Sequence, residues 1–140
     1  MAMVLLLEDD AGLRFTFAQT LEDAGHTVIS VADNDAALAQ LRKCTPDVLL
    51  LDLMINGAFS TDVADYAGYA APDAAVIYVT GSGLFPKGEL FRMSRNARWV
   101  LRKPVDLGDL ANMVEHACAQ ASVNPPQLPL CPVAAAKKIG

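Results

Sequence analysis

The sequence predicts an α/β protein built on a doubly wound, five-stranded parallel sheet with helices on both faces, and three observations predict it. Short apolar runs alternate with longer amphipathic segments five times, the pattern of strands and helices wound around one sheet. The runs at Met3 to Leu7, Asp47 to Leu51 and Ala74 to Thr80 are apolar enough to be central strands, buried on both sides. The 53% hydrophobic composition, heavy in alanine and leucine, is what two helical layers over a sheet require. A chain of 140 residues fits one domain and folds without disulfide or metal staples.

The elements follow in order. After the first strand, Leu13, Phe17, Leu21 and Ala24 form a helical stripe that Gly25 ends, and Thr27 to Val31 is the second strand. Asp33 is placed to cap a second helix that buries Ala37, Leu38 and Leu41, and Pro46 prevents that helix from running into the third strand. An alanine-rich helix spans Thr61 to Ala71 and stops before Pro72. The fourth strand then leads into a connection crowded with Gly81, Gly83, Pro86 and Gly88, where a short or irregular fourth helix is expected around Glu89 to Ser94. Arg98 to Arg102 is the fifth strand. Asp106 caps a last helix whose stripe of Leu107, Leu110, Ala111, Val114, Ala117, Cys118 and Ala121 predicts packing along its whole length. The domain is therefore assigned to residues 1–121. Residues 122–140, with Pro125, Pro126, Pro129 and Pro132, read as a proline-rich tail that holds no effector domain. A polyproline ligand for a partner is the alternative role for that tail.

Charge and composition exclude several classes. A formal charge of -5 with no basic run argues against direct nucleic-acid binding. No apolar stretch approaches the twenty or so residues of a membrane span, and the N-terminus meets Glu8, Asp9 and Asp10 instead of a signal-peptide core, so the expectation is a cytoplasmic protein. Cys44, Cys118 and Cys131 lack metal or redox spacing and read as reduced thiols. His26 reads as an exposed turn residue and His116 as a residue of the polar side of the last helix.

Ligands of open parallel sheets bind beyond the carboxyl ends of the strands. Applied here, that rule brings Glu8, Asp9 and Asp10, then Asp52, Thr80 and Lys103, into one crevice. Crowded carboxylates repel and call for a cation. Mg²⁺ suits a site with few carboxylates that leaves room for water and a phosphoryl oxygen. Asp52, alone on its strand, is then a nucleophile for phosphorus, with Thr80 and Lys103 stabilising the equatorial oxygens during transfer. Taken singly, each residue has a plainer reading: Asp10 as a helix cap, Asp9 as a solvated turn acid, Thr80 as a β-branched strand residue, Lys103 as a surface charge.

The set Glu8-Asp9-Asp10, Leu50-Leu51-Asp52, Val79-Thr80-Gly81 and Lys103-Pro104 resembles the receiver domain of response regulators over residues 3 to 121. The resemblance implies the flavodoxin-like strand order 2-1-3-4-5 and a phosphoacceptor function in two-component phosphorelay signalling. It implies Mg²⁺ held by Asp9, Asp10, Asp52 and the backbone carbonyl of Met54, phosphorylation of Asp52, a switch hydroxyl on Thr80, and a Lys103 that pairs with the phosphoryl group across a cis Lys103-Pro104 bond. It also implies a sensor histidine kinase or histidine phosphotransfer protein as donor, and output through a downstream protein target or as a phosphate sink.

Two features depart from the common receiver pattern. The usual aromatic residue three positions before the lysine is Val100, and Trp99 points to the other face of the sheet. The segments Ile55-Asn56-Gly57, Asp62-Val63-Ala64-Asp65 and Tyr78-Val79-Thr80-Gly81 resemble a subfamily of single-domain α-proteobacterial receivers with a Phe-Ala-Thr-Gly type motif, although Ser82-Gly83 stands where that subfamily has an aromatic residue. The subfamily resemblance implies that phosphate orders the loop from Gly81 to Gly88. The receiver resemblance also implies that Met54 and Ser82 border the path of water to the acceptor. The rival functions are an aspartyl-nucleophile phosphatase, against which stands Met54 where such enzymes place a second aspartate, and a phosphorylation-independent adaptor.

Overall fold

A computed structural model of the chain describes residues 2–81 and 97–123. Its main sheet contains β1 (Met3–Leu7), β2 (Thr27–Val31), β3 (Val48–Asp52), β6 (Ala75–Thr80) and β7 (Ala97–Arg102), all parallel, in the order β2-β1-β3-β6-β7. This is the predicted doubly wound order. β4 (Met54–Ile55) and β5 (Ala58–Phe59) form a small antiparallel pair beside it, which the periodicity did not predict. The helices are α1 (Ala11–Asp23), α2 (Asn34–Leu41), α3 (Thr61–Ala70) and α4 (Leu107–Val123). The short fourth helix expected around Glu89 to Ser94, the loop from Ser82 to Gly88 and the tail beyond Val123 lie outside the described residues.

Strand alternation sorts the core into two layers. Leu5, Leu7, Leu49, Leu51, Val76 and Tyr78 face α2 and α3, where they meet Ala37, Leu41, Val63, Ala64 and Ala67. Val4, Leu6, Leu50, Ile77 and Val79 face α1 and α4, where they meet Phe17, Leu21, Leu110, Val114 and Ala117. Every residue of β3 and β6 is buried, as the sequence pattern requires of central strands, whereas β2 is largely open along its edge. Trp99 packs in the α1/α4 layer and Val100 in the other, so the tryptophan does point away from the position where receivers carry an aromatic.

The helix ends follow local chemistry. Asp33 accepts from Ala36 N–H at 2.7 Å, and Asp106 from Asp109 N–H at 3.0 Å. α1 closes in a Schellman motif, with Gly25 at φ 98°, Gly25 N–H donating to Glu22 O and His26 N–H donating to Leu21 O. The last helix does not pack along its whole length, because its first residue, Leu107, is 39% exposed. Nor is His26 an exposed turn residue. The Schellman turn carries it inward to 4% exposure, where Nδ1 accepts from Ala2 N–H at 3.0 Å and Nε2 lies 3.2 Å from Glu115 Oε2 on α4. Among the described residues, no helix is long and apolar enough to cross a membrane.

Candidate functional site at the carboxyl edge of the sheet

The site assembles where β1, β3, β6 and β7 end. β3 delivers Asp52 as its last residue, in register with Val79 of β6. Asp52 is 6% exposed; its Oδ2 lies 3.0 Å from Lys103 Nζ, and its Oδ1 accepts from Met54 N–H at 3.3 Å. Lys103 follows β7 directly and is fixed at its root by its own N–H, which donates to Thr80 O at 2.8 Å. The Lys103-Pro104 bond is cis, as the resemblance implied. Thr80 is buried, and its hydroxyl donates to Gly81 O at 3.0 Å.

The acidic cluster differs from the expected one by a single residue. Ligand oxygens of Glu8, Asp9 and Asp52 lie within 4.8 Å of one another. Asp10 is not among them; its Oδ1 accepts from Leu13 N–H at 3.0 Å and caps α1. Sequence reasoning placed Glu8 in the crevice but outside the ligand set, whereas the folded chain buries it within the cluster. Glu8 is 1% exposed; its Oε2 accepts from Asp10 N–H at 3.1 Å, while Oε1 accepts no hydrogen bond and lies 3.4 Å from Lys103 Nζ.

These surroundings set the charges. Burial, reinforced by the neighbouring Asp52 carboxylate, pushes the Glu8 carboxyl up to about 7. Asp9 is held below the usual carboxylate range, chiefly because Asn56 N–H donates to its Oδ2 at 3.0 Å. Burial pulls the Lys103 ammonium downward, but its contact with Asp52, followed by Glu8, outweighs that effect and raises it. Among the described residues, one ammonium faces two buried acids, with a third acid at the rim. An additional cation fits that deficit, and a buried carboxylate oxygen without a hydrogen bond is a natural ligand for it.

Two further elements hold the site, and sequence reasoning did not assign either. Asn56 (φ 52°) and Gly57 (φ 83°) both lie in the left-handed region and close the β4–β5 hairpin in a type I′ geometry, for which Asn-Gly was the available signal. Ser60, fully buried, donates from its hydroxyl to Asp52 O at 2.7 Å.

Comparison with known proteins agrees with this geometry. The family model of the response regulator receiver domain matches residues 4–115. The response regulator receiver protein CpdR of Brucella abortus is 30% identical over 115 residues, covering 82% of this chain and 95% of CpdR. The nitrogen assimilation regulatory protein NtrX of Azorhizobium caulinodans is 24% identical over 116 residues, where this chain covers 81% of itself and only 25% of that longer protein. Among solved structures, a CheY-like receiver domain protein from Methanospirillum hungatei superposes with a TM-score of 0.80 at 22% identity, covering 88% of this chain and 98% of that one. The family match begins in β1 and ends within α4, taking in every element that delivers a residue to the crevice, and on that ground the chain belongs to the response regulator receiver domain family.

Proposed function

We propose that this receiver accepts a phosphoryl group on Asp52 from a phosphohistidine of a sensor kinase or histidine phosphotransfer protein, and that it signals by binding a downstream protein. The observation that carries the reading is the position of Lys103 Nζ, 3.0 Å from Asp52 Oδ2, beside a three-carboxylate cluster at the carboxyl edge of the sheet. Glu8, Asp9, Asp52 and the Met54 backbone carbonyl are the proposed ligands of Mg²⁺. When bound, Mg²⁺ supplies compensation of the acidic cluster and of the charge on the incoming phosphoryl oxygens.

The chain's own residues do the rest. An Asp52 carboxylate oxygen forms a bond to phosphorus as the P–N bond to the donor imidazole breaks. Lys103, already paired with Asp52, transfers its contact to a phosphoryl oxygen and stabilises the charge that builds there. The Thr80 hydroxyl leaves Gly81 O for another phosphoryl oxygen, which frees the first carbonyl of the connection that follows β6. Transfer needs no protein acid or base at the acceptor, since an ionised carboxylate is already a nucleophile.

The test is incubation with acetyl phosphate and Mg²⁺, followed by intact-mass measurement. Wild type gains one phosphoryl group, chelation of the metal prevents it, and Asp52→Ala removes it. A label that persists in Asp52→Ala, or continuous release of phosphate from varied monoesters, refutes the reading.

A further inference from the structure

We infer that Ser60 is a positioning residue for the acceptor, acting through the β4–β5 hairpin as a brace between Asp52 and the acidic cluster; the inference rests on the reading of Asp52 as the phosphoacceptor. The β1–β3 ladder stops at the pair Leu7 and Leu51, one residue before Asp52, because the chain turns off β1 into Glu8 and α1. The backbone of the acceptor thus lies beyond the last β1 pairing. Its carbonyl is engaged by the Ser60 hydroxyl at 2.7 Å, a side-chain bond that continues the ladder where the strand has ended.

The same serine binds the next residue as well, with Ser60 N–H donating to Leu53 O at 2.9 Å, while Leu53 N–H donates across to Val79 O at 2.9 Å. Residues 52 and 53 are therefore held by Ser60, a fully buried group that touches no reacting atom, and by Val79 of β6. At the other end of the hairpin, Asn56 N–H donates to Asp9 Oδ2 at 3.0 Å. The six residues from Met54 to Phe59 thus form a clip, with one end on the acceptor and its apex on a member of the acidic cluster. Asn34 adds a longer contact, its Nδ2 donating to Phe59 O at 3.4 Å.

A carboxylate that must meet phosphorus in line tolerates little displacement, and an ångström of misplacement lowers rates about 10²-fold. Loss of the Ser60 hydroxyl leaves the Asp52 carbonyl without that donor, so the peptide unit rotates in search of another and carries the carboxylate with it. The serine thereby affects the transfer rate more than the concentration at which the donor binds.

The test measures the acceptor's own kinetics with acetyl phosphate at saturating Mg²⁺ in wild type, Ser60→Ala, Ser60→Thr and Ser60→Cys. The expected result for Ser60→Ala is a maximal rate reduced roughly 10-fold or more with an unchanged KM for acetyl phosphate. The ¹³C signal of the Asp52 carbonyl should move, and Ser60→Thr, which keeps the hydroxyl, should recover the rate. If Ser60→Ala does not fold, Ser60→Cys, similar in size but a weak donor, carries the same prediction. A folded Ser60→Ala or Ser60→Cys that matches the wild-type rate overturns the inference and leaves Asp52 as acceptor. A wild type that takes no phosphoryl group overturns the parent reading instead.

Discussion

Glu8→Gln should make the metal-free protein more stable, and more so as the pH rises. Glu8 is almost fully buried, and its carboxyl is pushed up from 4.5 to about 7, first by burial and then by its contact with Asp52. Between those two pH values the folded chain keeps a proton that the unfolded chain has released. Folding is then linked to proton uptake, so stability falls as pH rises from about 4.5 to 7 and is level above that window. Each tenfold difference in proton affinity between the folded and unfolded chains is worth about 1.4 kcal/mol, which makes the loss attributable to this group roughly 3 kcal/mol. Glutamine keeps the shape and an oxygen for Asp10 N–H, but has no charge to bury. The assay is urea unfolding of both proteins at several pH values from 5 to 8 in the presence of a chelator, followed by the fluorescence of Trp99, the one tryptophan of the sequence. The variant should gain on wild type up to about pH 7 and hold that gain above it. Added Mg²⁺ should erase the gain by restoring wild type, because the same carboxylate then has a cation to face. A stability difference that is independent of pH, or that shrinks as pH rises, refutes the reasoning.

Further outcomes follow from the same geometry. Asp10→Ala should cost about 1 kcal/mol in unfolding experiments through loss of the α1 cap while leaving Mg²⁺ binding intact, whereas Asp9→Ala should abolish Mg²⁺ binding in calorimetric titration. Gly25→Ala should destabilise the fold by about 1–2 kcal/mol, because φ 98° is forbidding to a Cβ even though no atom crowds the position, and acetyl phosphate labelling should be unaffected. His26→Leu should lose about 1–3 kcal/mol in thermal or urea unfolding by orphaning Ala2 N–H, while His26→Asn, whose side-chain oxygen stands in for Nδ1, should lose less.

The main sheet was legible because its strands differ in composition as their positions demand. β3 and β6 are buried at every position, run apolar almost to their ends and are central, while β2, at the edge, leaves Thr27 and Ser30 in the open. The helix ends were legible where a residue type names them, by side-chain caps at Asp33 and Asp106 and by backbone freedom at Gly25. What failed was local. Leu107 continues the apolar stripe of α4 in sequence but sits at its first position, where it stays exposed. His26 reads as a turn residue because it follows Gly25, yet the hydrogen bond from its own N–H to Leu21 O reverses the chain and turns the ring under β1. Periodicity cannot report such a reversal, since it is a property of one backbone dihedral.

The acidic cluster shows the same limit at closer range. Three consecutive acids have identical chemistry, and which two reach the crevice depends on whether α1 begins one residue earlier or later, a margin within which helix ends are not readable from pattern. In the folded chain α1 begins at Ala11, so Asp10 is the cap and its Oδ1 accepts from Leu13 N–H, while the oxygens that gather with Asp52 are those of Glu8 and Asp9. Glu8, one residue past a strand buried to its end, is thereby drawn into the interior, where its longer side chain reaches both Lys103 and the neighbourhood of Asp52. The hairpin completes the arrangement: Asn56 and Gly57, both left-handed, turn the chain back so that one N–H reaches Asp9 while Ser60 returns to Asp52. Asp52, Thr80 and Lys103 could be placed from strand ends alone, because each follows an apolar run. The acids that surround them are selected by hydrogen bonds of the intervening loops, and it is those bonds that bring Glu8 and Asp9, but not Asp10, into one cluster with Asp52.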